Sequence, residues 1–392
     1  MTDDRIVSIA KNRPTPFYLF DIGKLRSRLL ELRRALPPKV DLCYAVKANP
    51  FLVKELSSMV NKLEICSPGE LRICQRLQAP EGKFVLSGVY KEQPLMEQIV
   101  SEHGAACTYT VESLSQFSIL RKAAAAANRR IPLLLRLTSG NQFGLNPQEI
   151  EEILSLYRED KFLELRGIQY FSGTQKTSLK RLRREIQELD GFLVGLHGRL
   201  GFQAQELEFG PGFPVTYFGE DSWNEQEYFR EFSSLLENMW FPGKITLELG
   251  RSIAACCGTY VTRIVDMKSN RAGNFAIVDG GVHHLVYYGQ SMGMRRPPVR
   301  RLPAREETDP QLWNICGALC TIHDILVKQL PLDLPQPGDL LVFENAGAYC
   351  MTEGISLFLS RDLPEVILVD ENGGYRTVRH TTPIDFLNTP SY

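Results

Sequence analysis

From about residue 38 to residue 250 the chain repeats one unit, a short apolar β-prone run followed by a stretch with apolar residues three or four apart. The runs fall at 40–46, 62–66, 83–86, 106–111, 132–137, 165–171, 206–209 and 245–249. Between the sixth and seventh, Leu179, Leu182, Ile186, Leu189, Leu193 and Leu196 mark one helical face, with Lys, Arg and Glu between them. Eight such units without an obvious break predict an α/β fold built as a (β/α)8 barrel. An open doubly wound sheet is the competing arrangement, but no G-x-G-x-x-G follows the first strand.

After residue 250 the pattern changes. Long helical periodicity stops, and short β-rich runs at 259–267, 275–278, 339–343 and 365–369 are punctuated by Pro335, Pro337, Gly338, Gly373 and Gly374. The expected division is an N-terminal segment 1–22, a barrel over 23–250 and a β-rich barrel or sandwich domain over 251–392. Phe17-Tyr18-Leu19-Phe20 is expected to add a strand to that β domain. Residues 295–305, with Arg295, Arg296, Arg300, Arg301 and Arg305 among prolines, read as a long loop. The 45 basic and 46 acidic residues give a net charge of -1, which argues against a nucleic-acid or membrane-surface partner. No apolar run approaches the roughly 20 residues needed to span a bilayer. The acidic start, Met1-Thr2-Asp3-Asp4-Arg5, lacks the apolar core of a signal peptide. Nine cysteines, several in apolar settings (Cys43, Cys66, Cys256, Cys257), contain no C-x-x-C pair. A cytoplasmic protein with reduced thiols and no metal site is the expectation.

In barrels of this kind chemistry sits at the C-terminal ends of the strands. Those ends carry Lys47, then Glu64 to Ser67, Arg136, Ser172-Gly173-Thr174-Gln175, Gly210-Pro211-Gly212 and finally Glu248-Leu249-Gly250-Arg251. Lys47 leaves an apolar strand just before Asn49-Pro50. Desolvation there would let its amine shed a proton and act as a nucleophile. Alone, it reads as readily as a surface lysine with its stem along apolar surface. The glycine turns let backbone N–H groups approach a phosphate closely, and they also end strands for steric reasons. A lysine, a phosphate cradle and a carboxylate at one mouth are the parts needed to hold pyridoxal phosphate, the carboxylate keeping the pyridine nitrogen protonated.

Taken in order, these motifs resemble fold type III pyridoxal-phosphate decarboxylases, the alanine-racemase-like group that contains diaminopimelate and ornithine decarboxylases. The resemblance spans nearly the whole chain. Tyr44-Ala45-Val46-Lys47-Ala48-Asn49 is similar to the lysine motif and Glu64-Ile65-Cys66-Ser67-Pro68-Gly69-Glu70-Leu71 to the second-strand motif. Gln142-Phe143-Gly144 and Ser172-Gly173-Thr174-Gln175 resemble two more. Gly210-Pro211-Gly212-Phe213-Pro214 stands where the family has its phosphate-binding glycine loop, and Glu248-Leu249-Gly250-Arg251 resembles E-P-G-R. Gly317-Ala318-Leu319-Cys320-Thr321 resembles the segment whose cysteine reaches the neighbouring subunit's site, and Glu344-Asn345-Ala346-Gly347-Ala348-Tyr349 resembles D-A-G-A-Y. The resemblance implies pyridoxal 5'-phosphate held by Lys47, Glu64, Arg136, Phe171, Ser172, Gly173, Thr174, Gly210, Gly212, Glu248, Gly250, Arg251 and Tyr349. It also implies a homodimer with shared active sites and α-decarboxylation in biosynthesis. In that chemistry the substrate amine displaces Lys47 from a Schiff base, CO2 leaves, and Lys47 or a neighbouring subunit's Cys320 reprotonates Cα.

Departures bear on the substrate. Phe171 stands where the family places a histidine against the cofactor ring, with Gln169 two residues earlier; an apolar ring can still stack there. Pro211 replaces the middle glycine and removes one N–H donor, and Leu249 replaces the proline. Thr321 follows the cysteine where lysine- and diamine-forming members carry an acid that contacts the substrate's distal amine. Threonine cannot form an ion pair with an ammonium. The Cys-Thr pair, with Asp279-Gly280-Gly281-Val282-His283-His284, resembles a subgroup acting on conjugated amino acids, including glutamyl groups on carrier proteins and citryl-diaminopropionate siderophore intermediates. The expected substrate is a small-molecule or carrier-linked amino acid with an anionic or acylated side chain. Its candidate contacts are Thr321, His283, His284, Arg295 and Arg296; the histidines read equally well as loop polar groups and the arginines as a solvated loop. Competing readings are a decarboxylase of free diaminopimelate or ornithine, a racemase on the same barrel, and a non-catalytic regulator. The Cys320 and Tyr349 motifs disfavour the racemase, and the joint presence of Lys47, Glu248, Arg251 and Cys320 disfavours the regulator.

Overall fold

The structure is a computed structural model that describes residues 2–219, 223–306 and 308–391. The chain forms two compact units. One contains residues 29–214 and 223–250, the other the residues up to 28, 215–219 and those from 251 onward.

The first strand, β1 (Phe17–Asp21), belongs to the second unit. The next eight are β2 (Asp41–Ala45), β3 (Lys62–Ile65), β4 (Phe84–Leu86), β5 (Thr108–Val111), β6 (Ile131–Leu137), β7 (Leu163–Phe171), β8 (Glu206–Gly210) and β9 (Lys244–Leu249). Each pairs in parallel with the next, and β2 pairs with β9, so the eight close a barrel. All eight expected strands are present, with ends shifted by a residue or two. Parallel strands are covered by side chains on both faces, which is why Leu133, Leu134 and Leu135 are buried in succession. Helices alternate with the strands, among them Pro68–Arg76, Leu114–Ala127 and Leu179–Leu200. On the last, Leu182, Ile186, Leu189, Leu193 and Leu196 are buried, as their spacing requires. Caps fix where the helices begin: the Ser67 hydroxyl accepts from Glu70 N at 3.2 Å with Pro68 in the first turn, and Ser113 accepts from Gln116 N at 3.2 Å. Each is worth about 1 kcal/mol.

The second unit is β-rich. It adds β10 (Gly258–Asn270), β11 (Gly273–Val278), β12 (Val299–Leu302), β13 (Gln311–Cys316), β14 (Ile325–Leu332), β15 (Leu340–Phe343), β16 (Glu365–Val369) and β17 (Tyr375–Arg379). The sheet runs β14-β13-β11-β10-β1-β16-β17, and β15 pairs with both β10 and β12. Phe17-Tyr18-Leu19-Phe20 does enter it, antiparallel to β10 and parallel to β16. A helix at Asp3–Lys11, not anticipated from sequence, packs Ile6, Ile9 and Ala10 on Phe17, Leu19, Val261 and Ile367.

The arginine stretch 295–305 is only partly loop. Val299–Leu302 forms β12, antiparallel to β15. Its arginines are internally engaged: Arg300 with Asp3 and Glu344, Arg301 with the Asp333 carbonyl at 2.5 Å, and Arg305 with Asp339 at 2.8 Å. Among the described residues no helix is long and apolar enough to cross a membrane.

Candidate active site

β2 ends in a single 3-10 turn, Val46–Ala48, that carries Lys47. Asn49 ends the turn, its side chain accepting from Phe51 N at 3.1 Å and its carbonyl from the Tyr44 hydroxyl at 3.1 Å. Strand register decides what Lys47 meets: Glu64 on β3 stands beside Ala45, and Glu248 on β9 beside Cys43. Lys47 Nζ lies 2.5 Å from Glu64 Oε2, 3.6 Å from Glu248 Oε1 and 3.4 Å from Cys66 Sγ. The Cys66 thiol donates to Glu64 Oε1 at 3.0 Å, and Cys66 N donates to Glu70 Oε2 at 2.7 Å in the first turn of the following helix. The helix cap thus fixes the thiol that helps to hold Glu64.

The two carboxylates are pushed apart. Burial alone would raise Glu64, but the Lys47 ammonium and hydrogen bonds from Glu248, Lys47 and Cys66 outweigh it and hold Glu64 below the usual carboxylate range. For Glu248, burial and then the charge on Glu64 push the carboxyl well up. Burial and Glu64 likewise push the Cys66 thiol well up, leaving a neutral donor.

The remaining expected barrel residues lie at or just after the ends of other barrel strands. At Gly212, φ is +66° and a Cβ would collide with the Gly173 carbonyl oxygen; Lys176 N donates to Gly212 O at 3.0 Å, tying the two glycine turns together. The Phe171 ring lies against Gly210, where a Cβ would stand 2.5 Å from Phe171 Cδ2. Ser172 Oγ donates to Glu185 at 2.7 Å and accepts from the buried Lys176 Nζ at 2.5 Å, so its hydroxyl is committed to the helix behind the loop. Thr174 follows in the same loop, and Gly250 follows β9. Arg136, in β6, donates to Glu112 Oε2 at 2.9 Å and stacks 4.6 Å from the Phe143 ring.

In the β-rich unit the Arg251 guanidinium lies 4.6 Å from the Tyr349 ring, 5.0 Å from Tyr288 and 5.8 Å from Tyr217, and donates to the Tyr217 hydroxyl at 3.1 Å. Tyr349 itself has φ +65°. Cys320 is exposed. Its loop and the 280–284 loop are joined by Asp324, a residue 2% exposed whose carboxylate accepts from Leu319 N and Val282 N at 2.8 Å each. Thr321 Oγ1 accepts from His323 N at 3.3 Å. His283 and His284 are buried with ring centroids 3.6 Å apart; burial lowers them to about 4 and about 2, so both are neutral. Arg295 lies 3.9 Å over the Phe218 ring, and Arg296 donates to the Gln329 carbonyl at 2.9 Å. Gln169, Glu208 and Lys176 went unassigned at the level of sequence. The signal for one of them, Glu206-x-Glu208 on one face of a buried strand, was present.

The barrel mouth suits pyridoxal 5'-phosphate. It offers an amine, a buried carboxyl pushed well above its ordinary range, and glycine turns with no room for a side chain at Gly210 and Gly212. Residues 22–255 match the family described as the pyridoxal-binding domain of pyridoxal-dependent decarboxylases. The L-glutamyl–BtrI acyl-carrier protein decarboxylase of Niallia circulans is 26% identical over 407 residues, covering 97% of this chain and 94% of that protein. The diaminopimelate decarboxylase of Pseudomonas aeruginosa is 28% identical over 392 residues, covering 95% and 92%. The crystal structure of AQ1208 from Aquifex aeolicus shares the fold at a TM-score of 0.85 and 25% identity, covering 97% of this chain and 92% of that one. An eight-stranded barrel with a β-rich companion unit, a lysine between two carboxylates and a family match over most of the barrel lead to one conclusion: this chain belongs to the pyridoxal-dependent decarboxylases and is a carboxy-lyase that uses pyridoxal 5'-phosphate.

Proposed function

We propose that this enzyme removes the α-carboxylate of an amino acid with an acylated or anionic side chain, in a biosynthetic pathway and as a homodimer with shared active sites. When bound, pyridoxal phosphate supplies a cationic conjugated ring that takes up the electron pair left at Cα as CO2 departs. Lys47 holds it through its amine, and Glu248 binds the ring nitrogen's N–H. Gly173, Gly210 and Gly212, with the backbone around Ser172 and Thr174, cradle the phosphate, and Phe171 presents a flat apolar face. Glu64, at hydrogen-bonding distance from Lys47 Nζ, takes or returns the amine's proton. The proton returned to Cα comes from Lys47 or from the partner subunit's Cys320. Arg136, Gly250, Arg251 and Tyr349 are assigned to the cofactor by their motifs.

One observation supports the substrate class above others. The residue after Cys320 is Thr321, and the acid in the same loop, Asp324, is buried with its two oxygens taken by backbone N–H groups. That loop therefore offers no free carboxylate for a distal ammonium. A cavity of about 1180 Å³ in the β-rich unit, lined by Arg296 and Lys328 with Asn314, Gln329 and Asn345, has no carboxylate among its described lining residues and suits an anionic group. A CO2-release assay comparing lysine, ornithine and diaminopimelate with carrier-linked glutamate and citryl-conjugated amino acids is the test. Turnover of a conjugate is expected, and preference for free diaminopimelate would overturn the reading.

A further inference from the structure

Below the mouth a chain of polar groups crosses the barrel interior. Gln169 on β7 is 1% exposed, and its Nε2 lies 3.2 Å from Glu208 Oε1, 3.3 Å from Glu248 Oε2 and 3.4 Å from Ser87 Oγ. Glu208 is fully buried, and Lys62 Nζ stands 3.8 Å from its Oε2 while bridging to Glu206. Glu206 accepts from Thr246 Oγ1 at 2.6 Å. Gln169 Oε1 and Glu208 Oε2 have no hydrogen-bond partner. The groups facing Glu248 and Glu208 are thus Lys47 and Cys43 at β2, Lys62 and Glu64 on β3, Gln169 on β7 and Glu206 on β8.

An amide NH2 carries two protons, and the two carboxylates can both accept from it only as acceptors. A carboxyl protonated on the oxygen that faces Gln169 would instead donate to the amide carbonyl. The observed pairing therefore has Glu208 Oε1 and Glu248 Oε2 both accepting from the amide. We propose that Gln169 is a positioning residue for the decarboxylation: anchored by Glu208, it donates to Glu248, aims that group, and favours the charged form it would need beside a protonated cofactor ring nitrogen. It does so against the burial and the Glu64 charge that favour the neutral acid in the cofactor-free protein. The inference rests on the assignment of Glu248 made above.

The test uses full-length holoenzyme and the variants Gln169→Met, Gln169→His and Glu248→Gln, with folding checked by circular dichroism. The readouts are the Kd for pyridoxal phosphate across pH and the split between kcat and KM. Gln169→Met is expected to weaken cofactor binding about tenfold and to move the acidic limb of the affinity profile to higher pH, because Glu248 loses a donor to its charged form. kcat should fall while KM for the amino acid holds, and Gln169→His, which keeps a donor, should recover part of each effect. A folded Gln169→Met that binds the cofactor as the parent does, with the same pH profile, overturns the inference. If Glu248→Gln is also silent, the assignment of Glu248 is what fails. Should Gln169→Met not fold, Gln169→Asn, too short to span both acids, decides in the same way: a shifted limb supports the inference and an unshifted one overturns it.

Discussion

Two buried carboxylates within reach of one amine cannot both ionise cheaply, and the opposite shifts of Glu64 and Glu248 divide their roles. Replacing Lys47 with Ala should therefore do more than remove a charge. It should abolish the absorbance band at about 420 nm expected of the lysine-bound cofactor and lower turnover by about 10³-fold or more, both read on purified protein. Glu208 gives a second prediction with a definite sign. Burial lifts it to about 7, from about 4.3 in the unfolded chain. Between those values the folded state binds the extra proton, so stability falls as pH rises through that window. In cofactor-free protein, urea unfolding of Glu208→Gln against the parent should show the variant gaining from about pH 5 to about pH 8, by up to about 3 kcal/mol. A difference independent of pH would show that Glu208 ionises freely. These residues differ in how visible they were. Lys47, Glu248 and the glycine turns sit at strand ends within motifs. Glu206-x-Glu208 hinted at one of the inner residues, but the pairing of Gln169 with Glu208 comes from strand register, which sets them side by side on β7 and β8, and no spacing in the sequence encodes that neighbour.

The elements follow the same logic. The barrel strands were legible because both faces of each are covered, leaving continuous apolar runs. β13, β14 and β17 were not: β13 has one buried position and β17 none, so neither shows an apolar run, and β14 is interrupted by the exposed Lys328 and Gln329 and contains Pro331. β12 was hidden by Arg300 and Arg301, whose charges are met by Asp3 and Glu344 and by a distant backbone carbonyl. The turns at the mouth are the most constrained elements. Gly212→Ala combines a positive φ with a collision against backbone, whereas Gly140→Ala has a positive φ in open space. The control should cost about 1 kcal/mol. Gly212→Ala should cost more and weaken binding of pyridoxal phosphate as well, measured by thermal unfolding and cofactor titration; equal effects at the two positions would show that the turns do not form the cradle.

At the scale of the whole molecule, the β-rich unit carries an exposed thiol beside a surface that water covers poorly. Cys320 is exposed and next but one to Ile322, 79% exposed, while Ile355, Leu357, Phe358, Leu359, Phe386 and Leu387 are also exposed. Hydrogen bonds tie these segments together: Arg361 donates to the Ala318 carbonyl at 2.8 Å and Asn388 to the Leu357 carbonyl at 3.0 Å. The homodimer proposed above would cover such side chains and give the thiol a site to serve. A two-fold dimer with shared sites makes a numerical prediction. Lys47→Ala and Cys320→Ala should each be nearly inactive alone. After random subunit exchange half the dimers are mixed, and each mixed dimer has one site with both groups intact, so CO2 release should recover to about a quarter of the parent's. If each subunit used its own Cys320, every site in a mixed dimer would lack one group and no activity would return. A fully active Cys320→Ala would instead leave Lys47 as the sole proton donor to Cα.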